Sequence, residues 1–424
     1  MGLIAGQFTL QIFTLQFLTV TNKDYYCTMK KSITIVGGGP ASLFLAAFLD
    51  PLKFEVTIYE KNKSLARKFL VAGKGGFNLS HAEDMSDFVM RYTPTHFLTT
   101  ALLNFTNSDL RDYLLTIGIP TFIGSSNRIY PEKGIKPIEV LQAILKIVDT
   151  NNVNVKFQEK WVGWDSSGAL QFDSGLKLQS DFTVFCMGGA SWQKTGSTGD
   201  WLNLFSTKGI ATKPFEVSNC AFEIQWNKQF VEKCEGLPLK NITISCGNMT
   251  QKGEAVITSF GLEGNAIYGL SPEIRKQLQD KGLAEVFVDL KPSLSVVIIL
   301  NKLKNSIAKT TSEKLKKDLR LSSAQLELLK NNCSKEVFMD LSLLAQKIKK
   351  LKLIAVSTAP LDEGISCVGG VELAEVMDAF ELSKIPNHYC IGEMLDWDAP
   401  TGGYLLQACF SMGVLVAREL NENN

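Results

Sequence analysis

Ile33–Val36 is a short run of mostly β-branched apolar residues, and Leu43–Leu49 is an apolar stretch of helical length, with Gly37–Ser42 between them. That order predicts a buried strand, a tight turn and a helix. The segment FEVTIYEKN, residues 54–62, is a second strand. Residues 182–186 (FTVFC) and 388–391 (HYCI) are further apolar runs, each leading toward glycine, and an apolar helical stretch from Tyr404 closes the chain. Strands alternating with helices predict an α/β class with a Rossmann-like sheet. Because the last strand and helix lie far beyond the others in sequence, that domain is expected to be discontinuous.

Between Phe215 and Ser357 the periodicity changes. CAFEIQW, LKNITISCG, GEAVITS and LAEVFVDLKP are short alternating runs that predict a small β-barrel or a sandwich. Residues 293–350 are lysine-rich with apolar positions at helical spacing, which predicts a helical subdomain with a solvated basic face. The expected organisation is a start-site extension at 1–28 and a Rossmann-like domain at 29–214 and 358–424, for which the motifs below imply FAD. A β-rich insertion follows at 215–292 and 351–357, with the helical subdomain at 293–350.

Composition narrows the classes. Forty-four Lys+Arg against 43 Asp+Glu give the 424-residue chain a formal charge of +1, so no global electrostatic footprint calls for nucleic acid or an anionic membrane. Neither partner is expected on that ground. Nine dispersed cysteines without a C-x-x-C pair, and three histidines without zinc spacing, read as reduced core thiols of a cytoplasmic protein with no metal site. The apolar N-terminal segment lacks a basic n-region and an A-x-A-like cleavage site, and Met29 immediately precedes Lys30-Lys31 and the first strand. No G-x-S-x-G elbow or Walker A loop is present.

Gly37-Gly38-Gly39-Pro40-Ala41-Ser42 matches G-x-G-x-x-[G/A] with Ser42 in the third place. Gly37 allows the turn, Gly39 lets a pyrophosphate approach the helix N-terminus, and the third position needs a small residue for packing. Glu60 ends the second strand about 20 residues later, where an acid binds a ribose 2′-hydroxyl. The pair points to an ADP-containing cofactor, with Lys61 beside it. A second glycine cluster then brings Arg67, Lys68, Gly73, Gly75, Gly76 and Asn78. Its exposed backbone suits a flat ring or a second stretch of cofactor better than a simple NAD domain. Gly188 and Gly189 end the third apolar run, and Gly392, Glu393 and the Gly402-Gly403-Tyr404-Leu405 turn follow the fourth. An acid beside a glycine and a helix N-terminus is how flavoproteins hold ribityl and pyrimidine groups.

With these residues the sequence resembles the BaiN/RdsA-type, or YhiN-like, flavoproteins, also labelled aminoacetone-oxidase-like FAD enzymes. The resemblance runs from Met29 onward. Its carriers are IVGGGPAS, ARKFLVAGKGGFNLSH, NRIYPEKGIKPIEVLQAI, MGGASWQKTGSTGD, GEAVITSFGLEGNAIYGLS and GEMLDWDAPTGGYLLQACFSMG. Three positions depart from the family's pattern. Ser42 replaces the third glycine, Gly76-Phe77 replace an Arg-Cys, and Tyr404-Leu405 replace a Tyr-Asn. The resemblance implies FAD and an oxidoreductase that moves a hydride between flavin and a small organic substrate. No second G-x-G-x-x-G lies in the insertion, so NADH or NADPH, where it donates electrons, is a transient visitor. Tyr404, Asp396 and Arg128 are the polar candidates for catalysis. Two alternatives stay open at this point: a flavin-bearing sensor without turnover, and a flavin-dependent RNA-modifying enzyme.

Overall fold

The computed structural model describes residues 29–71 and 76–424. The start-site extension at 1–28, and the candidates Gly73 and Gly75, lie outside the described residues.

The first domain is built on a five-stranded, all-parallel sheet in the order His388–Cys390, Phe182–Phe185, Lys31–Val36, Phe54–Glu60, Asn154–Phe157. Lys31–Val36 lies at its centre, with Ile35 opposite Val184 on one side and Ile58 on the other. Strands covered on both faces must be apolar throughout, and Ile33–Val36 and Phe182–Phe185 are fully buried for that reason. The C-terminal helix Tyr404–Asn423 packs on the first helix, Pro40–Phe48; the Phe44 and Phe410 rings stack 4.0 Å apart. A Cβ at Gly413 would lie 2.5 Å from the Ala41 carbonyl, so glycine there permits the close approach.

Two features of this domain have no counterpart in the sequence reading. Residues 161–178 form a three-stranded antiparallel sheet, on which Trp161 and Trp164 pack with Phe185 and Phe205. A five-residue helix, Arg67–Val71, precedes the second glycine cluster.

The insertion is a closed six-stranded barrel, which resolves the choice between barrel and sandwich. Its strands run in the order Phe222–Ile224, Gly261–Glu263, Met249–Ile257, Pro238–Cys246, Ala284–Asp289, Leu351–Thr358 and back to the first. Helices from Val296 to Lys349 interrupt it between the last two strands and share its separate hydrophobic core. An antiparallel ribbon, Thr212–Ser218 against Ser366–Val371, carries the chain between the two bodies.

At that junction Arg275, from a helix flanking the barrel, pairs with buried Asp398 of the first domain at 2.6 Å. Asp398 also accepts from Ser218 Oγ and from the Ala399 N–H. A buried charge is tolerated only when so paired and bonded. Among the described residues, no helix is long and apolar enough to cross a membrane.

Candidate functional site

The turn after the central strand opens onto an elongated cavity. Gly37 has φ +100, and a Cβ on it would lie 2.5 Å from the Cys186 carbonyl, so the turn and the neighbouring strand both demand glycine. Gly39 is different: a Cβ there would meet no atom within 4 Å. Gly39 caps the Pro40–Phe48 helix without any side-chain hydrogen bond. The helix therefore presents free N–H groups and the positive end of its dipole to open space. That combination fits a pyrophosphate. Ala41 and Ser42 lie on the buried side of the helix, and the Ser42 hydroxyl has no hydrogen-bond partner.

Glu60 is buried and tightly held. One oxygen accepts from the Gly38 N–H at 2.8 Å; the other accepts from the Asn62 N–H at 2.8 Å and its side-chain amide at 2.6 Å. A carboxylate has roughly four lone-pair sites, so one remains for a ribose hydroxyl. Asn62 accepts in turn from Arg67 at 2.9 Å, and Lys61 donates to Thr198 at 3.0 Å; both cations line the same cavity.

The far end of the cavity carries Lys68, Gly188 and Glu393. Lys68 donates to Glu393 at 2.8 Å and to Ser191 at 2.8 Å. Burial disfavours its charge, but the adjacent Glu393 carboxylate outweighs this and raises its pKa. Lys68 and Glu393 are 325 residues apart in sequence, and no local pattern announces the pair. Gly392, at φ +86, brings this last strand against Ala41 of the first helix. Gly189 closes beside Cys367. The Cys186 and Cys409 thiols are buried, and burial pushes both pKa values up, as expected of packed neutral thiols.

A second opening lies where the first domain meets the barrel. His81, Arg91, Arg128, Thr401 and Tyr404 form one wall, and Lys240, Gln251, Lys252, Glu254 and Asn265 the other. The Gly402-Gly403 turn directly precedes Tyr404: a Cβ on Gly403, at φ +103, would lie 2.5 Å from the Ser80 backbone, and one on Gly402, at φ +124, would lie 3.5 Å from Arg128 Nε. Gly76, at φ +110, lies near the Tyr130 ring, and Asn78 follows two residues later. Leu405 is only partly buried at the start of the closing helix.

On the first wall the Tyr404 hydroxyl donates to Glu83 at 2.6 Å, Arg91 chelates the same carboxylate at 2.7–3.2 Å, and His81 stacks on Tyr404. Burial and then Glu83 raise the Tyr404 pKa, keeping the phenol protonated. Burial opposes the Glu83 charge, but Arg91 and the phenol prevail and lower its pKa. Burial lowers the pKa of His81, which favours the neutral ring. The sequence reading found Tyr404 and Arg128 but missed His81, Glu83 and Arg91. For His81 and Glu83 the one signal was the run SHAED shortly after the glycine cluster; Arg91 lies outside it.

Asp396 lies elsewhere. It pairs with Lys213 at 2.6 Å and accepts from the Gly369 N–H at 3.1 Å, which fixes the ribbon, and it does not line this opening.

Comparison with known proteins gives a family and several named relatives. The HI0933-like protein Rossmann domain matches residues 31–419. A ribosomal RNA dihydrouridine synthase of Haemophilus influenzae is 24% identical over 404 residues, covering 91% of this chain and 98% of that protein. A 3-dehydro-bile acid delta(4,6)-reductase of Clostridium scindens is 23% identical over 412 residues, covering 92% and 99%. A ribosomal RNA dihydrouridine synthase of Escherichia coli is 21% identical over 398 residues, covering 91% and 97%.

Proposed function

The chain belongs to the HI0933-like Rossmann family and is an FAD-dependent oxidoreductase; from that premise we propose that it reduces a carbonyl-conjugated carbon–carbon double bond, with uridine in RNA as its substrate. The names of the relatives share one chemistry. Making dihydrouridine, and reducing a delta(4,6) bond in a 3-dehydro bile acid, both add two hydrogens to an alkene conjugated with a carbonyl. The observation that carries the RNA reading is the charge of the second opening. Arg91 is neutralised by Glu83, but Arg128, Lys240 and Lys252 face a single acid, Glu254. Such a surplus favours a phosphodiester over a neutral small molecule.

FAD, when bound, supplies the two-electron hydride chemistry. Gly39, Glu60 and Arg67 would hold its ADP half, and Lys68 with Glu393 the ribityl side. At the opening, Tyr404 holds a proton at the wall. With the hydride supplied to one alkene carbon by bound FAD, Tyr404 would give its proton to the other alkene carbon, and solvent would then reprotonate the phenolate. Arg91 lowers the Tyr404 pKa in part and so offsets the opposing field of Glu83.

The test is to give the holoenzyme NADPH together with ribosomal RNA lacking dihydrouridine, and to measure the nucleosides by mass spectrometry. Gain of two hydrogens on uridine is expected. Reoxidation of the reduced flavin by a cyclic enone but not by RNA would replace the RNA reading with a small-molecule reductase. Reoxidation by neither would overturn the conjugated-alkene reading itself.

A further inference from the structure

The near-neutral total charge conceals a strong segregation. Residues 293–350 hold twelve Lys+Arg against five Asp+Glu, a net of +7, which leaves the rest of the chain at −6. Few of these cations are neutralised locally. Lys330 pairs with Glu327 and Lys349 with Asp289. Lys302, Lys304, Lys309, Lys316 and Lys317 are exposed and make no salt bridge among the described residues. The two helices that carry most of them, Val296–Lys304 and Thr311–Lys317, are adjacent, with the Lys314 ammonium donating to the Leu303 carbonyl at 3.2 Å.

The next helix, Ser323–Asn332, joins this subdomain to the second opening. Buried Gln325 donates to the Lys240 carbonyl at 3.2 Å and reaches the Leu290 carbonyl at 3.5 Å. Lys240 lines the opening. Next to Leu290, the Lys291 ammonium donates to the Arg320 carbonyl at 3.1 Å. Burial, and then the Arg320 charge, lower the Lys291 pKa, and the Lys291 backbone N–H donates to Asp289 at 2.9 Å. Lys240, Lys291 and Arg320 thus surround one seam between barrel and helices.

We propose that the helical subdomain is an RNA-backbone anchor, whose lysines hold phosphates outside the opening while a single nucleotide enters it. This rests on the RNA reading above. Lysine contacts to phosphates carry no sequence information, so this surface would position RNA without reading sequence. Specificity would remain with the opening.

The experiment measures binding of a fluorescent single-stranded RNA and of deproteinised ribosomal RNA to the holoenzyme across a salt series. It compares Lys302/Lys304/Lys309/Lys316/Lys317→Gln with a control set of exposed lysines on the first domain, Lys30/Lys63/Lys133/Lys146/Lys156→Gln. Gln has nearly the helix propensity of Lys, and flavin absorbance with thermal melting verifies the fold of each variant. For single strands each phosphate contact contributes about 0.7 to the log–log salt slope. The first set should flatten the slope by roughly 2–3.5 and weaken binding at least about tenfold; the control set should change neither by a comparable amount. Equal losses in both sets, or an unchanged slope in the first, would overturn the anchor while leaving the RNA reading intact. Absence of salt-dependent RNA binding by the unsubstituted protein would overturn both.

Discussion

At the residue scale, Glu60 and Tyr404 make opposite demands on the same chemistry of donors and acceptors. Glu60 spends three of its acceptor sites on Gly38 and Asn62, and in doing so fixes the glycine turn. Glu60→Gln turns one acceptor into a donor that faces either the Gly38 N–H or the Asn62 amide. A lost hydrogen bond to a charged group is worth about 1.5–3 kcal/mol, so FAD affinity should fall roughly tenfold to a hundredfold, read by titration of the apoprotein. Unchanged affinity would place the adenosine ribose elsewhere. Tyr404 should matter to turnover instead. Tyr404→Phe removes the proton held at the wall and should lower kcat by about 10²–10⁴ while the flavin spectrum stays as it was. Glu83 gives this cluster a pH signature. Its pKa is depressed in the folded protein, so its contribution to stability is complete above the unfolded carboxylate pKa and is lost as pH falls through the lower folded value. Melting temperature measured from pH 7 downward should therefore drop in the acid range more for the unsubstituted protein than for Glu83→Gln. Parallel curves would remove Glu83 from the cluster's energetics. The sequence showed Glu60 because its spacing from the glycines is a local pattern. It hid the Tyr404–Glu83 bond because a contact across 321 residues leaves no periodicity.

At the element scale, the cofactor site depends on how closely two helices can pack. The Pro40–Phe48 helix must aim its N-terminus at the cavity, and the C-terminal helix holds it there through Phe410 and Gly413. Gly413→Val would put a side chain into the Ala41 carbonyl, and helices that cannot interpenetrate must separate. Overpacking of this kind costs about 1–3 kcal/mol. We expect a lower melting temperature accompanied by reduced flavin content, because Ala41 is in the first turn of the helix proposed to hold the pyrophosphate. Loss of stability with full flavin occupancy would show that the C-terminal helix supports the fold but does not set the cofactor site. Both helices were readable as apolar runs of sufficient length, and the alternating insertion was readable as strands. Barrel closure was not, because alternation records only which face is buried. Whether six strands form two layers or one closed ring depends on the pairing of Phe222–Ile224 with both Gly261–Glu263 and Leu351–Thr358, which are far apart in sequence. The helix Ser271–Lys281 was missed for a related reason: only a few of its positions are buried, so its pattern is mostly polar.

At the scale of the whole molecule, two separate hydrophobic cores meet at a ribbon and a buried ion pair, and this division decides how electrons can arrive. The first core belongs to the parallel sheet, whose Gly37–Gly39 turn lines the first cavity; the second belongs to a closed antiparallel barrel. A dinucleotide fold needs parallel strands opening onto a helix N-terminus, and no second one occurs among the described residues. On the proposed reading, reduced nicotinamide, where it donates electrons, would reach the flavin from the opening between the bodies that Arg128 and Tyr404 line, and the organic substrate would enter by the same way. Hydride transfer requires the two rings within about 3–3.5 Å, so donor and acceptor cannot occupy that face together. We therefore expect ping-pong kinetics, with NADPH and the oxidising substrate each inhibiting competitively against the other. Arg128→Gln should raise the KM for both, since each would approach past the same guanidinium. Parallel double-reciprocal lines that become intersecting, or a nicotinamide found bound within the barrel while substrate fills the opening, would show two sites instead of one. The barrel would then have a catalytic share that neither its closed topology nor its lack of a glycine turn suggests.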